Sequence, residues 1–136
     1  MTDSPSPSLA HLWAVTLVVP EYDAALAFYV DLLGFTVIED IDMGDKRWIR
    51  IAPPGGGCSL VLGRAADDEQ ARAIGSQSGG RVSFFLLTDD FARDHAAMLA
   101  QGVVFEEPPR EEEYGIVAVW RDPFGNRWDL LQRKVP

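Results

Sequence analysis

A hairpin with a Pro-Gly turn occurs twice in this chain, half a length apart. The second copy centres on Asp122-Pro123-Phe124-Gly125-Asn126, where Pro fixes one φ and Gly-Asn tolerates positive φ. Strand-like runs flank it at 116–120 and 127–132. Setting Pro123 on Pro53 without gaps brings Gly125 onto Gly55, Asp129 onto Ser59 and Leu130 onto Leu60. A repeat of about half the chain is too long for a solenoid and indicates two copies of one module.

The pattern of each half supports this. Residues 12–19 form an apolar, β-branched run, the signature of a buried strand. Residues 22–33 have helical spacing and end at Gly34, a C′ glycine. Strands follow at 35–43, 46–52 and 58–62. The second half repeats the order: strand 81–87, helix 91–101 behind Thr88-Asp89-Asp90, then strands 103–106, 114–120 and 127–132. Each half reads β-α-β-β-β. The fold class is α+β, two tandem β-α-β-β-β modules. The expected division is a disordered tail at 1–10, a first module at 11–63, a linker at 64–80 with a short helix at 65–74, and a second module at 81–136, all one compact domain.

Composition narrows the class. Of 136 residues 47% are hydrophobic, enough to bury a core without a staple. A formal net charge of −9 repels a phosphate backbone, so nucleic acid is not an expected partner. The single cysteine, Cys58, excludes an intrachain disulfide, and its strand position predicts a packed thiol on the helix side. No apolar run reaches the length of a membrane helix, and the polar, Pro-rich start lacks the regions of a signal peptide. The expectation is a cytoplasmic protein with no membrane partner. Residues 108–113, with Glu111, Glu112 and Glu113, read as a solvated acidic loop.

Three stretches carry a resemblance to a known family: 14–19 (Ala-Val-Thr-Leu-Val-Val), 27–35 (Ala-Phe-Tyr-Val-Asp-Leu-Leu-Gly-Phe) and 122–126 (Asp-Pro-Phe-Gly-Asn). In this order, within a repeat, they resemble the vicinal oxygen chelate superfamily of glyoxalases, bleomycin-resistance proteins and extradiol dioxygenases. The resemblance spans about residues 12–133 and implies curved mixed sheets around a concave cleft, with helices outside, and a dimer in many relatives, with clefts shared between chains. Metal-using relatives place ligands on the first and last strand of each module, usually His, Glu, His, Glu, or two His and one Glu. Those positions carry over to Ala14, Ser59, Arg81 and Asp129. One carboxylate among four does not hold a metal, so no metal and no other cofactor are expected. His11 falls on the opposite strand face and His95 inside the second helix, so neither restores the set.

The substitutions suggest a pairing of Arg81 with Asp129 across the cleft, either a structural ion pair or an anchor for a ligand. Strand parity adds Ser83 and Phe85 to the lining, and the repeat adds Trp48, Arg50 and Trp120; with Ser59 these are the candidate ligand-binding residues. The leading expectation is a metal-independent small-molecule-binding protein related to antibiotic-sequestering proteins, acting as a homodimer. The alternative is an enzyme of glyoxalase or dioxygenase type, a lyase, isomerase or oxygenase. In a metal-free version Asp129 would be the general base and Arg81 would stabilise an oxyanion.

Overall fold

The computed structural model describes residues 6–8 and 10–135; most of the expected 1–10 tail lies outside them. The first module runs β1 (Ala14–Val19), α1 (Tyr22–Leu26), β2 (Thr36–Asp42), β3 (Arg47–Ala52) and β4 (Ser59–Arg64). The second runs β5 (Phe84–Leu87), α3 (Phe91–Ala100), β6 (Val104–Phe105), β7 (Arg110–Glu112), β8 (Gly115–Arg121) and β9 (Arg127–Arg133). Between them α2 spans Asp68–Ala73.

The two sheets share one topology. Sheet one has the order β1-β4-β3-β2 and sheet two β5-β9-β8-β6, with β7 also paired to β8. In each, the first strand lies parallel to the last and the remaining pairs are antiparallel. The expected β-α-β-β-β order is therefore present twice. It gains one element, because the acidic stretch is not a free loop: Arg110–Glu112 pairs with Gly115–Val117 as β7. Backbone pairing, not burial, decides the fate of so charged a segment.

Alternation sends one face of each sheet to a common core. Leu17, Val19, Ile49, Ile51, Leu60 and Leu62 from sheet one meet Ala118, Trp120, Trp128 and Leu130 from sheet two, with Tyr22, Phe28 and Tyr29 of the first helix and Phe91 and Met98 of α3. The first helix widens after α1 into a π-helical segment, Ala27–Leu32. It buries both Phe28 and Tyr29, then ends at Gly34 with φ +82°.

The two recognisable motifs meet in this core. The Asp122 carboxylate accepts from the N–H groups of Phe124 (2.9 Å) and Asn126 (2.8 Å) and from Asn126 Nδ2 (2.7 Å), which holds its own turn. It also accepts from Tyr29 Oη at 2.5 Å, and Tyr29 Oη in turn accepts from Trp128 Nε1 at 3.1 Å. Burial, and then the neighbouring carboxylate, push the Tyr29 phenol well above its ordinary pKa, so it remains a donor. A helix of the first module is thus bolted to a turn of the second. The linker is fitted as closely. A Cβ on Gly75 would stand 2.2 Å from the Phe124 carbonyl oxygen, which only glycine avoids. Gln77 satisfies the free edge of β1 by accepting from Val18 N–H and donating to the Thr16 carbonyl.

Candidate binding face

The sheet faces turned away from this core carry the candidate site. Register fixes the equivalences. Ala14 lies beside Ser59, and Phe85 lies beside Asp129. The counterpart of Ala14 is therefore Phe85, four residues beyond Arg81. An even slip keeps a side chain on its face while moving its position. Arg81 sits before β5, exposed, its N–H donating to the Ser78 carbonyl. The expected Arg81–Asp129 pair is absent among the described ion pairs. Ser83, also before β5, hydrogen-bonds Ser78 Oγ.

The slip between the hairpins is odd. Ile51 pairs with Leu60 and Val119 with Asp129, so seven residues separate Ala52 from Ser59 where ten separate Val119 from Asp129. The counterpart of Arg50 is Val117, and Trp120 faces the core. It is 0% exposed, stacked on Trp128 with centroids 4.9 Å apart, and is not a lining residue. Cys58 needs a similar correction. It is exposed, and its Sγ reaches only the Ser59 carbonyl, at 3.6 Å. His11 is exposed, and His95 stacks on Phe91 and meets the edge of Phe105 outside the sheets.

On sheet one the open face holds Trp48, Arg50 and Ser59. Ser59 is 1% exposed; its Oγ donates to the Trp13 carbonyl (3.0 Å) and accepts from Arg50 Nη1 (3.2 Å). Arg50 lies over the Trp13 ring, 4.1 Å from its centroid, and pairs with Glu39 at 2.8 Å. Hydrogen bonds from Arg50 and then Trp48 hold the Glu39 carboxyl below its ordinary pKa. The Ser59 hydroxyl and the Arg50 guanidinium thus both have partners within the protein.

On sheet two the open face is different. Asp129 is 7% exposed, yet its Oδ1 is buried without a hydrogen-bond partner among the described residues. Burial raises its pKa, opposed by Arg110, reinforced by Glu107 and opposed by Arg127. Phe85 beside it is 65% exposed and Leu87 67%. Both also wall a groove of about 930 Å³ that runs between α3 and the Pro53–Cys58 loop. Of the charges around Asp129, Arg110 lies in the stretch expected to be a solvated loop, Glu107 just before it and Arg127 on β9 itself; the pairing of β7 brings Arg110 here. Arg110 is clamped by Glu107 (3.0 Å) and Glu112 (2.6 Å), and Glu107 accepts from Val119 N–H.

The four positions that hold a metal in ligand-bearing relatives are thus Ala14, Ser59, Phe85 and Asp129. A methyl group, a hydroxyl already donated to a carbonyl, a phenyl ring and one carboxylate do not fit a divalent cation. Among the described residues no other group of three His, Cys, Asp or Glu side chains is placed to take one.

A fold of two β-α-β-β-β modules with this shared-core arrangement has a known family. The family model "Glyoxalase/Bleomycin resistance protein/Dioxygenase superfamily" matches residues 9–130, and the chain belongs to that superfamily. It is 52% identical over 121 residues to an uncharacterised protein of Shewanella frigidimarina, covering 87% of this chain and 90% of that protein. Among solved structures it is similar to TnmS3, an antibiotic-binding protein of Streptomyces sp. CB03234 (28% identity, TM-score 0.77, 95% of this chain and 100% of that one). It is also similar to a glyoxalase/bleomycin resistance protein of the same organism (30% identity, TM-score 0.65, 88% and 99%). No helix among the described residues is long and apolar enough to cross a membrane.

Proposed function

We propose that this chain is a metal-independent small-molecule-binding protein, with the ligand seated on the open face of sheet two. The observation that carries this is Asp129: a buried carboxylate oxygen with no hydrogen-bond partner among the described residues, beside an exposed phenyl ring. Such a group costs stability in the free protein and is retained where a ligand completes it. The likeness to an antibiotic-binding protein supports the same reading. We further read the chain as a cytoplasmic homodimer, because Val37, Ile38 and Ile41 of β2 leave an apolar strip, away from Phe85, that a second copy would cover.

A catalytic version draws on one observation, the raised pKa of Asp129, which suits a general base. It loses its oxyanion partner, since Arg81 does not reach Asp129. Elemental analysis of purified protein, with calorimetric titration against a panel of aromatic natural products, tests the binding reading. Less than a tenth of an equivalent of any transition metal, with saturable binding that Phe85→Ala and Asp129→Ala weaken, is the expected result. A stoichiometric metal, or binding indifferent to both variants, would overturn it.

A further inference from the structure

Resting on the binding reading, we propose that the ligand carries a positive charge, and that its protonated amine sits on Asp129 against the Phe85 ring. The argument is one of pairing. Three arginines and three glutamates approach the open face of sheet two. Arg110 is held between Glu107 and Glu112, while Arg121 (2.6 Å) and Arg127 (2.8 Å) share Glu106. Arg127 also donates to the Gly80 carbonyl. Each of these cations is engaged, and each of these carboxylates accepts from at least one of them. Asp129 is the carboxylate left over. It lies in the middle of the row, opposite Val119 on β8 and Phe85 on β5.

Its neighbours select the kind of donor. Phe85 is the same-face partner of Asp129 on the adjacent strand, about 4.8 Å away in backbone spacing. A carboxylate beside an exposed aromatic face is a seat for an ammonium group, which gains the ion pair and the ring quadrupole together. Val119 beside it and Leu87 further along β5 are apolar, so the rest of the ligand is flat or greasy and lies along Phe85 and Leu87 at the edge of the sheet. An anionic ligand would face Asp129 with no uncommitted cation near it: the charges that act on Asp129 are Arg110, Glu107 and Arg127, all paired. A substituted aromatic or polycyclic amine is the class that fits.

Three probes of one shape separate the possibilities: 1-naphthylmethylamine, 1-naphthalenemethanol and 1-naphthoate, titrated calorimetrically at neutral pH into wild type, Asp129→Asn and Phe85→Leu. The ammonium probe should bind wild type roughly tenfold tighter than the alcohol, a difference of about 1.4 kcal/mol. Naphthoate should bind weakest. Asp129→Asn should erase the ammonium preference while keeping alcohol binding, which also reports that the variant is folded. Phe85→Leu should weaken the ammonium probe more than the alcohol. Equal or tighter binding of the alcohol or naphthoate to wild type, or an ammonium preference that survives Asp129→Asn, would refute the charge assignment and leave the binding reading standing. Silence from all three probes would overturn the binding reading itself.

Discussion

Ser59 and Asp129 occupy the same place in two copies of one sheet, yet their surroundings have opposite character. Around Ser59 the face is closed: Trp13 and Arg50 lie over it, and its hydroxyl both donates and accepts. Around Asp129 the face is open only at its edge, at Phe85 and Leu87, and Asp129 Oδ1 has no hydrogen-bond partner among the described residues. The same division appears in the hairpins. The first module turns through an exposed glycine loop, the second through Asp122, buried and holding four hydrogen bonds. Duplication supplies two equivalent frames. In this chain one copy is finished internally at the face, and the other is finished internally only at the turn.

The largest expected effect breaks the turn. Asp122→Ala leaves two backbone N–H groups, the Asn126 amide and the Tyr29 hydroxyl to find other partners in a dry site, and should cost about 3 kcal/mol or more. Pro54→Ala in the exposed first hairpin should stay within about 0.5 kcal/mol. Urea unfolding of both variants checks the contrast; comparable losses would mean that the two turns bear similar loads.

How far this contrast could be read from sequence depends on the residue. Strand and helix positions were legible because alternation at Leu17 and Val19, helical spacing at Ala25 and Phe28, and the Asp-Pro-x-Gly-Asn turn are local signals. Register was not. A gapless repeat cannot see that the second hairpin connection is three residues longer, and an odd error turns Trp120 from core to lining. At β5 the error was even, so Phe85 stayed on the correct face although Arg81 took its place in the alignment. Arg110 and Glu112 were missed for a different reason: their strand is made by pairing with Ile116 and Val117, and no periodicity in Arg-Glu-Glu announces that.

A sharper test places opposite signs on equivalent positions. Ser59→Ala removes a hydroxyl that joins Arg50 to the Trp13 carbonyl, and should destabilise by about 1–2 kcal/mol. Asp129→Asn removes a buried charge without a partner, and should stabilise by about 1 kcal/mol at neutral pH. The pH dependence follows in sign. Burial makes the folded state hold the Asp129 proton more firmly than the unfolded chain does. Stability from this group is therefore fully present below the ordinary aspartate value of 3.8 and is lost as pH rises through the raised folded value. Thermal melts of wild type and Asp129→Asn across that window should diverge with rising pH, the variant melting higher. Parallel melts would show that Asp129 has a partner in solution.

The smallest effect concerns the rim of the groove. Cys58 precedes Ser59, so alternation turns it away from the side of the sheet that Ser59 occupies, toward the core side. The Pro53–Cys58 loop ends there before the strand begins, and the thiol escapes burial. Cys58→Ser should leave stability within about 0.5 kcal/mol of wild type. The native thiol should react with a disulfide reagent at a rate close to that of the unfolded chain, since exposure sets access. Because Cys58 and Phe85 line the same groove, a bulky adduct at Cys58 should also slow ligand entry at Phe85 without touching Asp129. Slow native reactivity that unfolding accelerates would show instead that the loop, or a second copy, closes over the groove, and the open face would then be open only in part.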